Sequence, residues 1–471
     1  MSPKLLKTLI ALAIPLIVLL IPATWIPLAD LTVVEQRIIA IFLFAALFWI
    51  LEPIPVFATS VLIVVLELVM VSDKAFLPFR SGSPEQLGTL ISYKELMATF
   101  ASPIIMLFLG GFFLAMAATK YRLDQNLARV LLKPFGSQPR WVLLGLMCIT
   151  GVFSMFMSNT ATTAMMLAIL VPVLSAFEAG DRGRVAFVLA IPIAANIGGV
   201  GTPIGSPPNV IALKYLTGEN AVSFGAWMGF GIPFAIVLLL IGWLLLLRFF
   251  PVQTPAIRLN IKGQFLRTRK ARIVYATFGL TVLLWLTDFL HGMNSYTVGM
   301  LPVGIFLAFG IITKEDLKQI SWDVLWLVSG GIALGLGLET SGLAAHLVAE
   351  IPFASMAPVL ILLLASLLTL VMANFMSHTA TANLLLPIIA ALGTSVSGLE
   401  AVGGAKALIL TVTLSAALGM ALPISTPPNA LAHATGLIET RDMARTGVVI
   451  GLVGLIMIFV TIYLMALVGF V

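Results

Sequence analysis

The chain has 471 residues, of which 60% are hydrophobic and only 10% are charged. A soluble protein of this length needs far more charge to cover its surface, so the composition excludes a soluble enzyme, a disordered chain and a disulfide scaffold. It predicts an all-α polytopic membrane protein, with its length divided into spans of about 20 residues.

The net charge is +6, and the positive residues lie between hydrophobic runs. This pattern favours the positive-inside bias of a membrane protein over a nucleic-acid partner. Cys148 is the single cysteine, so no intrachain disulfide can form. Residues 1–26 resemble a signal peptide but lack a small-x-small cleavage site, and we interpret them as a retained first span. We expect a multi-pass protein of the cell membrane, which is the inner membrane if the source is prokaryotic.

Hydrophobic runs follow one another along the whole chain, and most are long enough to cross a bilayer. They lie at about 5–22, 35–51, 53–71, 96–118, 141–157, 161–177, 185–216, 227–248, 273–290, 295–312, 323–345, 356–376, 380–397, 404–437 and 446–470.

Two pairs of runs are separated by only three polar residues. The pair over 141–177 turns at 158–160, which reads SNT, and the pair over 356–397 turns at 377–379, which reads SHT. Three residues cannot form an aqueous loop between two full crossings unless the turn lies near a surface. The alternative is a re-entrant hairpin, in which two half-penetrating helices meet at a polar tip inside the protein.

Two single runs are interrupted by consecutive prolines. The run 185–216 contains GTPIGSPPN at 201–209, and the run 404–437 contains ALPISTPPN at 421–429. Each Pro-Pro pair removes two backbone donors and disfavours helix in the residue before it. We therefore predict two broken helices with extended backbone at the break.

These features recur at an offset of 219–220 residues. FMSNTAT begins at Phe156 and FMSHTAT begins at Phe375, which indicates an internal duplication. The basic stretches 120–140 and 248–272 should be cytoplasmic. Five crossings then separate the two hairpins, so they enter from opposite sides, as in transporters built from inverted repeats.

We accordingly divide the chain into three parts. Residues 1–250 hold a first scaffold segment and the first repeat, 251–272 form a basic cytoplasmic linker, and 273–471 form the second repeat.

The tips and breaks supply hydroxyls, amides, free carbonyls and helix ends, with almost no formal charge. Carbonyl, Ser and Asn oxygens suit Na⁺, and helix N-termini with hydroxyl donors suit a carboxylate. Taken singly, SNT is a common helix cap and PPN is a common turn. Recurrence of both in both halves favours one central site. Glu67, near a span end, is either a proton relay or an interfacial or paired carboxylate.

At FMSNTAT, GTPIGSPPN, FMSHTAT and PISTPPN the sequence resembles the divalent-anion transporter family, the dicarboxylate or INDY-type transporters. The resemblance spans nearly the whole chain. It implies a homodimer with eleven crossings and two re-entrant hairpins, and an elevator mechanism. The implied substrates are di- and tricarboxylates such as succinate, malate, fumarate, 2-oxoglutarate or citrate. Sodium symporters and sodium-independent exchangers both belong to the family, so sodium is a candidate cofactor and no organic cofactor is expected.

The resemblance also implies site residues. The substrate-binding residues would be Asn159, Thr160, Ser206, Pro207, Ser377, His378, Thr379, Thr426 and Pro427. The first sodium site would use Ser154, Ser158, Asn159 and the backbone near Gly205.

The second sodium site departs from the family pattern, because this chain has Ala373 and His378 where symporters carry a hydroxyl and Asn. We expect His378, when protonated, to be a substitute cation, and the carrier then to exchange one dicarboxylate for another. The alternative is a neutral His378 beside one retained sodium site, which gives a sodium-coupled symporter.

Proteins of other classes fit less well. A channel can contain re-entrant loops, but an inverted duplication is more typical of carriers. No HExxH motif and no Ser-His-Asp constellation appears in the sequence, so we do not expect an enzyme. A carrier of an inorganic divalent anion remains an alternative, and the residues do not select one carboxylate among those named.

Overall fold

The computed structural model describes residues 3–174, 177–178, 180–257, 264–350, 356–396 and 398–471. These residues form helices and connecting segments, with one isolated bridge between Ser72 and Ile91. Among them, six helices are long and apolar enough to cross a membrane, and seven shorter apolar helices accompany them. The all-helical class predicted from composition is confirmed. The division into eleven crossings and two re-entrant hairpins stays a prediction.

Seven helices precede the first predicted hairpin. They are α1 (Pro3–Leu20), α2 (Val33–Leu51), α3 (Val56–Met70), α4 (Pro84–Leu87), α5 (Tyr93–Ala98), α6 (Pro103–Lys120) and α7 (Leu123–Leu132). Local sequence sets where they begin. Thr32 and Glu35 form a capping box at the start of α2, and the Ser102 side chain accepts a hydrogen bond from Ile105 N at the start of α6.

The next five helices contain the first hairpin and the first broken helix. They are α8 (Pro139–Ser154), α9 (Asn159–Leu174), α10 (Gly183–Gly199), α11 (Pro207–Ala212) and α12 (Phe224–Phe249). Residues 155–158 separate α8 from α9, and residues 200–206 separate α10 from α11. Pro207 begins α11 because proline fits the first helical position, where no N–H is needed.

Six helices lead to the second hairpin. They are α13 (Arg269–Leu286), α14 (Asp288–His291), α15 (Ser295–Ala308), α16 (Lys314–Leu317), α17 (Trp322–Thr340) and α18 (Leu343–Glu350). Helix α13 starts inside the predicted linker 251–272, since the Thr268 side chain caps it at Ala271 N. The linker's Arg258 and Lys262 lie outside the described residues.

The last five helices repeat the order of the α8–α12 segment. They are α19 (Pro358–Phe375), α20 (His378–Ser395), α21 (Gly404–Ala417), α22 (Pro427–Ala434) and α23 (Thr440–Leu467). The two sets pack reciprocally, because α9 contacts α22 and α20 contacts α11. The hairpin of each half therefore lies against the broken helix of the other half.

Burial separates a central layer from an outer layer. Every residue from Ala186 to Gly199 in α10 is buried, as is every residue from Ala407 to Met420 in and after α21. Outer helices instead expose large apolar side chains, such as Leu368 on α19 and Ile456 on α23. An exposed apolar face of this kind suits contact with lipid.

Candidate functional site

A cavity of about 200 Å³ lies where the two hairpin tips and the two helix breaks meet. All nine residues predicted to bind substrate line it: Asn159, Thr160, Ser206, Pro207, Ser377, His378, Thr379, Thr426 and Pro427. Each belongs to, or directly precedes, the first turn of α9, α11, α20 or α22. Four helix N-termini therefore face one cavity, and their partial positive charges suit an anion.

The hairpin tips are built alike. The Ser158 hydroxyl accepts a hydrogen bond from Ala161 N at 3.1 Å, and the Ser377 hydroxyl accepts one from Ala380 N at 3.1 Å. Each serine thus satisfies an otherwise free donor of the helix that follows it. Capping and lining of the cavity are therefore compatible, because capping fixes the position from which the next residues line the cavity.

The helix breaks are braced by the asparagine of each PPN motif. Asn209 Nδ2 donates to Gly199 O at 2.9 Å and to Thr202 O at 2.8 Å. Asn429 Nδ2 likewise donates to Met420 O at 2.8 Å and to Leu422 O at 3.0 Å. The breaks that follow α10 and α21 leave carbonyls without helical partners, and these amides satisfy them inside the protein.

Asn196 joins the two halves and was missed by the sequence reasoning. Its Nδ2 lies 3.3 Å from Thr426 Oγ1 and 3.2 Å from Asn429 Oδ1, both of which belong to the second half of the chain. It lines the cavity, and its Oδ1 is buried without a hydrogen-bond partner. An amide inside the apolar run 185–216 was the available signal, since a buried polar group needs a partner.

The first candidate sodium site contains converging oxygens. Ser154 Oγ lies 2.5 Å from Asn159 Oδ1 and 2.7 Å from Ala195 O, so one hydroxyl proton faces two acceptors. A Cβ on Gly199 would lie 2.8 Å from both Asn159 Oδ1 and Gly205 O. The lack of a side chain at Gly199 thus lets these oxygens lie close together. Neutral amide, hydroxyl and carbonyl oxygens in such an arrangement fit a hard monovalent cation.

Ser158 was expected to be a ligand of the first sodium site, but its hydroxyl group has another hydrogen-bond partner. Its hydroxyl is the cap of α9, and its carbonyl accepts from Thr162 N at 3.0 Å. The two side-chain oxygens that the structure brings together at the first candidate site are therefore those of Ser154 and Asn159.

The second half differs at the corresponding positions. Ala373 replaces the hydroxyl of Ser154, and His378 Nε2 lies 2.6 Å from Gly419 O. Because a carbonyl can only accept, the ring nitrogen donates its proton. In the second half, an N–H group therefore faces a backbone carbonyl. At the corresponding place in the first half, the groups of Ser154 and Asn159 that face each other are oxygens.

Charge is scarce around the central cavity. Among the described residues that line it, none is Lys or Arg, and Asp323 at the start of α17 is a carboxylate.

A second cavity of about 430 Å³ shares Phe112, Met157 and Ser158 with the central cavity. Lys120 and Asp316 pair at 2.5 Å in the lining of this second cavity. Burial opposes ionisation of Asp316, but hydrogen bonds from Lys120 and Thr313 hold its pKa below the ordinary value.

Comparison with known proteins defines the family. The family described as "Sodium:sulfate symporter transmembrane region" matches residues 2–470. The chain belongs to this family of sodium:sulfate symporters. The family resemblance inferred from the paired motifs is thereby confirmed, together with a multi-pass location in the cell membrane and a transport role.

Named relatives of this symporter-family chain are transporters. It is 32% identical to the sodium-dependent dicarboxylate transporter SdcS of Staphylococcus saprophyticus and 32% identical to SdcS of Staphylococcus aureus. Each alignment covers 90% of this chain and 85% of the relative. The solved YdaH transporter of Alcanivorax borkumensis shares the fold at a TM-score of 0.56 and 14% identity, over 88% of this chain and 98% of that one.

Proposed function

We propose that the protein is a sodium-coupled transporter of small di- and tricarboxylates, of the succinate, malate, fumarate, 2-oxoglutarate and citrate class. The sequence alone favoured an exchanger and left a sodium-coupled symporter as the alternative, and the proposal reverses this order. Relatives named as sodium-dependent dicarboxylate transporters, at 32% identity, support the symporter over the exchanger.

The observation that carries the proposal is the adjacency of two kinds of binding group. Four helix N-termini face the cavity, and the oxygens of Ser154 and Asn159 converge next to it. Asn159 belongs to both groups. A cation held by its Oδ1 therefore lies close to a bound carboxylate and offsets its charge, which is the physical basis for coupling the two.

The size and charge of the cavity support a compact dianion. Its volume of about 200 Å³ is smaller than a drug-sized site, for which roughly 300 Å³ is the lower end. Since no Lys or Arg is present among its described lining residues, sodium and helix dipoles must supply the positive potential.

We propose one sodium site in each chain, and a neutral His378 that donates hydrogen bonds. The His378 ring lies in the first turn of α20, where the helix end favours anions over cations. Its donor already satisfies Gly419 O, the carbonyl that a second cation would otherwise approach.

We further propose that the hairpins and broken helices, α8–α11 and α19–α22, move as a block against α2, α3, α6 and α17. Alternating access by this elevator motion requires a rigid partner, and a homodimer would supply it. The family resemblance supports both statements.

Flux measurements in proteoliposomes test the function. Uptake of labelled succinate is measured with an inward sodium gradient and empty vesicles, and then with internal succinate and no sodium. We expect strong uptake in the first condition and little in the second. The reverse result would establish exchange and reject the symporter. Unlabelled sulfate serves as a competitor, because efficient competition would assign the site to inorganic divalent anions.

A further inference from the structure

Glu67 is a buried carboxyl group that the proposed transport site does not use. It lies in α3, is 0% exposed, and neither of its carboxyl oxygens has a hydrogen-bond partner. Burying an ionised carboxylate without hydrogen-bond donors is much more costly than burying a protonated carboxyl group. The group therefore needs either a proton or a nearby positive charge.

Lys214 supplies a positive charge from a different part of the molecule. It follows α11, in the broken helix of the first half, and its electrostatic field reaches Glu67. Its ammonium group donates to Ile332 O of α17 at 3.1 Å. Glu67 belongs to α3 and Lys214 to the block that we propose to move, so a displacement of the block separates the two charges.

Glycines in α17 bring the groups close together. A Cβ on Gly337 would lie 2.6 Å from Glu67 Oε1, and a Cβ on Gly335 would lie 2.9 Å from Lys214 Nζ and overlap the Tyr215 hydroxyl. The two side chains thus approach α17 at positions without side chains, and only a narrow helix backbone separates them.

Several charged groups on the elements packed against α3 have partners of their own. The elements packed against α3 are α2, α5 and α17, and their charged or titratable groups are Glu35, Arg37, Tyr93, Lys94, Glu95, Asp323 and Glu339. Arg37 donates to Met70 O and Phe79 O, and Glu35 pairs with His346 Nδ1 at 3.0 Å. Glu339 interacts with Lys214.

We propose that Glu67 is a proton-binding site that takes up a proton when Lys214 leaves α17 and releases it when Lys214 returns. Protons thereby favour the state in which the block has moved, and alkaline conditions favour the state described here. This inference rests on the proposed function, because it requires alternation between two positions of the block.

Accessibility of the second cavity, of about 430 Å³, reports the position of the block. Ala161 is exposed and lines this cavity, so Ala161→Cys in a Cys148→Ala background places a single reactive thiol there. In substrate-free proteoliposomes, we expect its labelling rate, corrected for the intrinsic reactivity of a free thiol, to fall at least about threefold between about pH 9 and about pH 6.

Two substitutions test the assignment to Glu67. Glu67→Gln should give the low rate at every pH, and Lys214→Met should do the same because the partner charge is removed. Asp124→Asn is the matched control, since Asp124 is 1% exposed but accepts hydrogen bonds from Thr119 and from Gln125 N. It should keep the wild-type response.

A pH response that persists unchanged in Glu67→Gln would overturn the inference, and so would a wild-type rate that does not change with pH. If Glu67→Gln does not fold, Lys214→Met alone decides between these outcomes. Sodium-driven succinate uptake by the unsubstituted protein is measured separately. Its absence would reject the proposed function, whereas the labelling experiment, which uses no substrate, would still report on Glu67.

Discussion

The two halves of the central site share one backbone plan and differ in what they offer to a cation. Each half has a serine-capped hairpin tip and a break braced by asparagine. In the first half, Ser154 and Asn159 present oxygens to each other. In the second half, Ala373 presents none, and His378 donates an N–H group to Gly419 O.

This difference shows that a duplicated scaffold constrains backbone geometry more strongly than ion chemistry. Caps and braces satisfy buried backbone groups, and an unsatisfied group is costly in either half. A side-chain oxygen that could bind a cation can be lost without such a cost where another group satisfies the nearby carbonyl, as His378 does for Gly419 O. The halves therefore share the groups that satisfy the backbone and differ in the oxygen atoms that they present beside the central cavity.

The largest effect is expected from removing the oxygen that distinguishes the first half. Ser154→Ala gives that half the residue already present at Ala373, so the candidate sodium site loses a ligand. We expect the apparent sodium affinity in succinate uptake to fall about 100-fold, which equals roughly 2.7 kcal/mol.

Thr150→Val is the control for this substitution. Thr150 is also buried in α8, but its hydroxyl donates to Leu146 O in its own helix. Its sodium dependence should stay close to that of the wild type. If Ser154→Ala retained the wild-type sodium dependence, the first half would not be the ion site.

A smaller effect is expected from the feature that the halves share. Asn209→Ala and Asn429→Ala each remove an amide that satisfies two backbone carbonyls. We expect each variant to lose about 1–3 kcal/mol of stability, seen as a lower midpoint of thermal unfolding in detergent. The loss should be larger in Asn429→Ala, because Asn429 Oδ1 also accepts a hydrogen bond from Asn196 Nδ2. A loss confined to one half would contradict the equivalence of the braces.

Sequence predicted the local features of these halves and missed most contacts between them. Consecutive prolines and short polar triplets act on the nearest residues, so the predicted break at 201–209 overlaps the observed one at 200–206, and α9 begins within the predicted tip at Asn159. The bonds from Asn196 to the other half depend on how distant helices pack, which no local pattern encodes.

The same reasoning explains two other differences. The sequence places His378 at the second hairpin tip, but the direction of its N–H group toward Gly419 O follows only from the packed backbone. The run of basic residues predicts a linker as far as 272, whereas α13 begins at Arg269. Lys and Arg are good helix formers, so charge alone does not mark a helix end.

The loops that follow the two hairpins offer a further contrast. Asp181 Oδ2 accepts from Gln253 N, Thr254 N and Thr254 Oγ1, and Oδ1 accepts from Gly183 N. In the second half, Glu400 accepts from Gly398 N in its own loop. Asp181 therefore ties the first loop to the segment after α12, and Glu400 makes a local bond.

Asp181→Asn should destabilise the protein by about 1–3 kcal/mol at neutral pH, and Glu400→Gln by much less. Burial raises the pKa of Asp181, but its hydrogen bonds outweigh burial and hold it below the ordinary value. The stabilisation is present above the usual carboxyl range and is lost as pH falls through the folded-state pKa. The gap between wild type and Asp181→Asn should close in acid. A gap of constant size would show that the carboxylate charge is not involved.

The subtlest change is expected from restoring ion chemistry to the second half. Ala373→Ser combined with His378→Asn supplies a hydroxyl and an amide oxygen where the first half has Ser154 and Asn159. Because the imidazole N–H then no longer satisfies Gly419 O, this carbonyl becomes available to a cation. We expect the Hill coefficient for sodium in succinate uptake to rise from about 1 towards about 2.

Ala373→Ser alone is the control, since His378 still donates to Gly419 O and the Hill coefficient should stay near 1. A coefficient near 2 in the unsubstituted protein would instead mean that the second half already binds sodium, and the contrast between the halves would not extend to ion binding.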